Sequence, residues 1–127
     1  MAHFTEGIPV FVYGTLMRGQ RAHHMLTGAV FAGEYELRDH AMYDLGRYPG
    51  IVPCAGEKVF GEVYFVSKAM LAQMDEYEEE GSLYRRVPVE LVGKEGVISA
   101  QAYVYNRKVT GCKLLRCAWN ACGEGKY

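Results

Sequence analysis

Five apolar residues in succession, Pro9, Val10, Phe11, Val12 and Tyr13, stop at Gly14. A short apolar run ended by glycine predicts a buried strand over residues 9–13. Residues 14–20, with Gly14 and Gly19, then read as a loop, and 21–26 as a short helix. Residues 29–37 and 38–43 are extended in pattern, and Asp44-Leu45-Gly46-Arg47-Tyr48-Pro49-Gly50 is rich in turn formers. Strands are predicted again over 51–54 and 59–66, joined near Ala55-Gly56-Glu57-Lys58. Over 84–92, Val87, Val89 and Leu91 alternate with Arg86, Pro88 and Glu90, the period of a half-buried strand. Gly93 and Gly96 bracket a turn, and 97–106 complete a hairpin. Pro88 has no N–H to donate, so one side of its strand is expected at an edge or a bulge.

Between residues 67 and 80 the period changes. Ser67 suits an N-cap, and Met70, Leu71, Met74 and Tyr77 recur at helical spacing up to a stop at Gly81-Ser82. Seven steps of about 100° bring Glu78 almost into line with Leu71, and one turn separates it from Met74. Asp75, Glu76, Glu79 and Glu80 point further from that stripe. One carboxylate of five therefore faces the apolar side, where an ionised group is costly. Such a residue is either a structural buried acid or a proton-transfer group with a raised pKa. A solvated acidic cluster is disfavoured here, because the helix C-terminus repels carboxylates.

The count is six or seven strands and one confident helix. It predicts an α+β protein, a small mixed-strand open barrel with one main helix and minor helices packed beside it. With 127 residues the chain suits a single domain over 1–127, and half of it is hydrophobic. The tail from 107 to 127 shows no clear period.

Composition narrows the chemistry. A net charge of −1 supplies no basic field for nucleic acid or a membrane surface. No apolar run is long enough to span a bilayer, and the first residues lack the blocks of a signal peptide. A cytoplasmic location follows as an expectation. In that setting Cys54, Cys112, Cys117 and Cys122 are expected as reduced, structural thiols. The last three are spaced by five, unlike zinc ligands. His23 and His24 are adjacent and diverge on a helix, so a surface reading is preferred. No metal and no cofactor are expected. Gly14 in Tyr13-Gly14-Thr15-Leu16 either ends a strand in an ordinary turn or gathers successive N–H groups into an anion site. The pattern of a phosphate-binding P-loop is absent. Tyr84, six residues beyond Glu78 in Tyr84-Arg85-Arg86, packs in the core or reaches the same pocket.

Taken in order, Val12-Tyr13-Gly14-Thr15-Leu16, Tyr43-Asp44-Leu45-Gly46-Arg47-Tyr48-Pro49-Gly50, Gly61-Glu62-Val63-Tyr64, Met74-Asp75-Glu76-Tyr77-Glu78 and Tyr84-Arg85-Arg86 resemble the gamma-glutamylcyclotransferase-like family, including the gamma-glutamylamine cyclotransferases. The likeness covers residues 9–106. It implies a small mixed barrel and a cofactor-free enzyme that turns a gamma-glutamyl amide into 5-oxoproline and a free amine. The resemblance assigns the acid/base to Glu78, the residue that the helical phase also singles out. It assigns substrate binding to Tyr13, Gly14, Thr15, Leu16 and Tyr84. Met74 stands where the family usually has Leu, and two further acids leave a one-residue shift to Glu79 open. The partner implied is a small gamma-glutamyl substrate, free or carrier-linked, with oligomeric state left open. The alternative is a non-catalytic small-molecule binding or regulatory module on the same fold.

Overall fold

The computed structural model describes residues 7–119. Six strands form one mixed sheet: β1 (Ile8–Val12), β2 (Val30–Asp44), β3 (Pro49–Val66), β4 (Tyr84–Gly93), β5 (Gly96–Tyr105) and β6 (Lys113–Leu115). The order is β3-β1-β5-β4-β2-β6, and β2 also pairs with β3, so five strands run in a ring. Two seams of the ring are thin. β1 meets β5 in parallel through Val10↔Gln101 and Phe11↔Ala102, and β2 meets β4 only through Tyr35↔Gly93 and Glu36↔Val92. The result is the expected α+β architecture, an open barrel rather than a cleanly closed one. Pro88 faces Gln101 of β5 and lies outside the short β2 seam. That is where a residue without an N–H costs nothing.

β2 and β3 form one long hairpin where four shorter strands are expected from the pattern. Its turn signals do not break the strands; they bend them. Asp39 alone stands opposite residues 54–57, between Arg38↔Lys58 and His40↔Pro53. Asp39 adopts a left-handed φ of 59°, and its Oδ1 accepts the N–H of Gly56 at 3.0 Å. A bulge of this kind bends the sheet without ending it. Of the turn-rich segment 44–50, only residues 45–48 stay outside strands, closed by Leu45 N–H to the Tyr48 carbonyl. The short helix expected at 21–26 is a 3-10 turn, His23–Leu26. β6, within the unassigned tail, pairs with β2.

The main α-helix, α1 (Lys68–Glu78), starts where its pattern predicts: Ser67 Oγ accepts the Met70 N–H at 3.1 Å. It ends two residues early. Glu79 turns left-handed, and the N–H groups of Glu79 and Glu80 return to the carbonyls of Glu76 and Asp75. Such a C-cap satisfies the last helical carbonyls and stops the helix. Leu71 and Met74 are buried with Val10, Phe11, Val63 and Leu91 in one core.

A polar clamp fixes α1 on the sheet. Arg86 of β4 donates through Nε to Asp75 Oδ1 at 2.9 Å and through Nη2 to Oδ2 at 3.2 Å. Its Nη1 reaches Gln101 of β5 at 3.1 Å, and Tyr103 O–H donates to Asp75 Oδ1 at 2.6 Å. The register sets this up, because Arg86 and Tyr103 are directly paired. A two-pronged, half-buried arginine–carboxylate pair is stronger than an exposed one. Asp75→Ala should therefore cost about 2–3 kcal/mol in urea unfolding, and Tyr103→Phe, which leaves the ion pair intact, about 1 kcal/mol. Equal losses would show that the Tyr103 hydroxyl accounts for the hold on the helix and that the guanidinium adds nothing to it.

Candidate active site

The C-terminal turn of α1 meets the loop after β1. Glu78, the last helical residue, lines a narrow cavity together with residues 11–16, Tyr48, Pro49, Tyr84 and Tyr103. The cavity measures about 20 Å³, room for roughly one water. It opens beside a groove of about 310 Å³ that shares Thr15, Tyr48, Glu78 and Tyr84.

Each part of the loop has a reason for its place. A Cβ on Gly14 would lie 2.6 Å from Cγ of Pro49. Glycine is needed here because the chain passes against a rigid proline ring, not because of a left-handed turn. Thr15 is buried, and its Oγ1 lies 2.8 Å from the Tyr77 hydroxyl, which ties the loop to α1. The carbonyls of Gly14 and Thr15 accept from Met17 and Ala22, and that of Leu16 lies 2.9 Å from Nδ1 of His23. The N–H groups of Gly14, Thr15 and Leu16 donate to no acceptor among the described residues. Three successive N–H groups without acceptors are available to donate to a bound anion.

The tyrosines wall the cavity, with their hydroxyl protons already engaged. Tyr13 donates to the Tyr103 carbonyl at 2.6 Å, and Tyr84 to the Pro49 carbonyl at 2.7 Å. Tyr84 therefore holds Pro49 against Gly14 and is not a free donor aimed at Glu78. Burial raises the pKa of Tyr13, Tyr84 and Tyr103, and the charge of Glu78 adds to each shift. The Glu78 carboxyl makes no hydrogen bond or ion pair among the described residues. Burial pushes its carboxyl up to about 7. Desolvation without a compensating partner is the cause. Glu79 is exposed and lines only the outer groove.

The structure thus brings Tyr13, Gly14, Thr15, Leu16, Glu78 and Tyr84 to one place. Tyr103 on the cavity wall, and Tyr77 and Arg21 on the lining of the outer groove, were not singled out from the sequence. Tyr103 could have been found only from its strand register with Arg86, and Tyr77 reads as one more apolar helix residue. The histidines lie apart from the cavity lining: His23 packs on the Tyr64 ring, and His24 is exposed. Among the described residues no three His, Cys, Asp or Glu side chains group as metal ligands. Cys54 and Cys112 are free thiols, but Cys117 is disulfide-bonded, against the expectation of reduced cysteines. The approach of two sulfurs, which a count of cysteines does not encode, decides such a pairing. Cys122 lies outside the described residues. No helix among the described residues is long and apolar enough to cross a membrane.

The gamma-glutamyl cyclotransferase, AIG2-like family matches residues 10–121, and the chain belongs to it. It is an enzyme of the gamma-glutamylcyclotransferase type. It is 39% identical over 106 residues to the gamma-glutamylcyclotransferase family protein YtfP of Escherichia coli K12, covering 84% of this chain and 89% of that protein. It is 37% identical to gamma-glutamylaminecyclotransferase A of Danio rerio, covering 78% and 68%. Among solved structures, an uncharacterized protein from Pyrococcus horikoshii superposes with a TM-score of 0.76 at 30% identity, over 94% of both chains.

The raised carboxyl of Glu78 has a stability consequence. Its folded pKa of about 7 lies above the unfolded value of 4.5. The folded state then binds the proton more tightly, so stability falls as pH rises from 4.5 through 7. A shift of this size corresponds to roughly 3 kcal/mol when complete. Glu78→Gln should match the wild type near pH 4 and become progressively more stable than it up to pH 8 in thermal melts. A constant difference across that range would mean that Glu78 titrates normally.

Proposed function

We propose that this enzyme converts a gamma-glutamyl amide into 5-oxoproline and a free amine without a cofactor, with Glu78 as the single proton carrier. The observation that carries this reading is the unpartnered Glu78 carboxyl, raised to about 7, in the lining of one cavity with Gly14, Thr15 and Leu16, whose N–H groups are unbonded among the described residues. The relatives named for gamma-glutamyl and gamma-glutamylamine cyclotransfer support it.

The substrate carries its own nucleophile. Ionised Glu78 takes a proton from the alpha-ammonium, and the freed amine attacks the gamma-carbonyl carbon. Holding the glutamyl chain folded gives this intramolecular attack a high effective molarity. The loop N–H groups stabilise the oxyanion or anchor the alpha-carboxylate. Collapse breaks the bond to the leaving nitrogen. The ammonium loses two protons in becoming the lactam N–H, and Glu78 relays both to the leaving amine, which departs as an ammonium ion. A carboxyl titrating near 7 is matched to both directions of transfer. Tyr13, Tyr84 and Pro49 shape the cavity, and the Thr15–Tyr77 bond fixes the loop against the helix that carries Glu78.

Release of 5-oxoproline from a panel of gamma-glutamyl compounds tests the reaction. Wild-type kcat/KM should rise with pH through an apparent pKa near 7 as Glu78 ionises. Glu78→Gln should retain the fold, lose about 100-fold or more in kcat and lose that limb. Glu79→Gln should keep near wild-type turnover, and the opposite pattern would move the assignment by one residue.

Because the nucleophile is supplied by the substrate, no metal-bound water has to be generated. Treatment with a chelator should leave 5-oxoproline release unchanged. Activity lost to the chelator and restored by a divalent ion, with glutamate as product, would replace the proposed reaction by a metal-assisted hydrolysis.

A further inference from the structure

Of the motifs that run in order along the chain, Gly61-Glu62-Val63-Tyr64 alone contributes no residue to the cavity lining. It lies on β3 beside the end of β1, with Glu62 paired to Val12, two residues before Gly14. Gly61 permits this close passage. A Cβ there would lie 2.4 Å from the Val12 carbonyl oxygen and 2.8 Å from the Phe11 ring.

No other charged residue among the described ones is buried as deeply as Glu62, which is 5% exposed. A buried carboxyl needs partners, and those of Glu62 come from its own strand and from the loop after β1. Its Oε1 accepts the Tyr64 hydroxyl at 3.0 Å and the Arg18 N–H at 3.0 Å, and its Oε2 lies 3.7 Å from Arg18 Nε. The Arg18 guanidinium stacks over the Phe31 ring at 4.3 Å, and Phe31 and His23 both pack on the Tyr64 ring. His23 in turn meets the Leu16 carbonyl. The carbonyls of residues 14–17 and the N–H groups of Met17 and Arg18 therefore all have partners. Only the N–H groups of Gly14, Thr15 and Leu16 are left over in this stretch. Glu62, Tyr64, His23 and Arg18 hold the loop from outside the cavity, because none of them lines it.

Resting on the cyclotransferase reading, we infer that Glu62 is a positioning residue for the reaction: it grips the Arg18 N–H and so fixes the loop whose three remaining donors meet the substrate. It touches neither the substrate nor Glu78. Its effect is geometric, and a displacement of about 1 Å in a positioning element costs on the order of 100-fold in rate.

The test compares Glu62→Leu with Glu62→Gln, which keeps an oxygen to accept the N–H. With a compound that releases 5-oxoproline, Glu62→Leu should lose about tenfold to 100-fold in kcat/KM, and Glu62→Gln should recover most of that loss. The pH limb near 7 should stay in place in both, because Glu78 is unchanged. Leu37→Ala opens the core at a residue outside the cavity lining. It should lower the melting temperature and keep kcat/KM at a temperature where every variant is folded. In amide NMR, the Arg18 N–H should be protected from solvent exchange in the wild type. Glu62→Leu should remove that protection and shift the Gly14, Thr15 and Leu16 resonances, and Glu62→Gln should do neither. A freely exchanging Arg18 N–H in the wild type would overturn the inference without any variant. So would unmoved loop resonances in Glu62→Leu, a Gln variant as impaired as the Leu variant, or an equal loss in Leu37→Ala at the same melting temperature. Loop resonances that move in Glu62→Leu, with no 5-oxoproline from any compound in the wild type, would instead overturn the cyclotransferase reading and leave the brace standing.

Discussion

The docking of α1 onto the β4–β5 hairpin is the constraint on which the site depends. Asp75 gathers both prongs of Arg86 and the hydroxyl of Tyr103. Those contacts fix the helix in rotation as well as in position. With Asp75 held by the sheet and Leu71 and Met74 in the core, the last turn can present only one side to the β1 loop. That side carries Glu78. The same Tyr103 accepts the Tyr13 hydroxyl through its carbonyl, so the loop, the helix and the sheet share one residue. Shifting the β4–β5 register by one would turn Arg86 and Tyr103 to the other face and release the helix.

Against this rigid frame the carboxyl of Glu78 is left without a partner. Nearby polar groups are satisfied elsewhere: Tyr84 by Pro49, Thr15 by Tyr77, Tyr13 by Tyr103. The protein spends its hydrogen bonds on holding the walls in place and leaves the proton-carrying group to be tuned by desolvation alone. An ion pair would have driven the carboxyl the other way and fixed its charge. The pairing of an unpartnered acid with unbonded N–H donors stores two unmet demands in one small volume. A bound gamma-glutamyl group, with an ammonium and a carboxylate on the same carbon, is the kind of molecule that meets both.

Much of this was legible in the residues. Val10 and Phe11 announce a central strand, Pro88 an open strand side, and Ser67 the start of the helix. The spacing of Leu71, Met74 and Glu78 gives the direction of one acid among five. These are local properties, set by the period of the backbone and the conformational preferences of single residues. The reading was less good where a turn signal bends a strand instead of ending it, as at Asp39 and Gly56, and where a left-handed Glu79 stops the helix early.

By itself, the sequence determined which residue types lie on which side of each element, and the order of motifs that marks the family. Only the tertiary structure decided that Gly14 must be glycine because of Pro49, that Tyr84 serves Pro49 rather than Glu78, and that Arg21 and Arg47 line one groove. These pairings bring together residues 26 to 35 positions apart in the chain. No periodicity reaches that far. Their geometry follows from strand register and from which wall packs against which. The pKa of Glu78 belongs to the same class, because desolvation is a property of everything that surrounds a group and not of its neighbours in the chain.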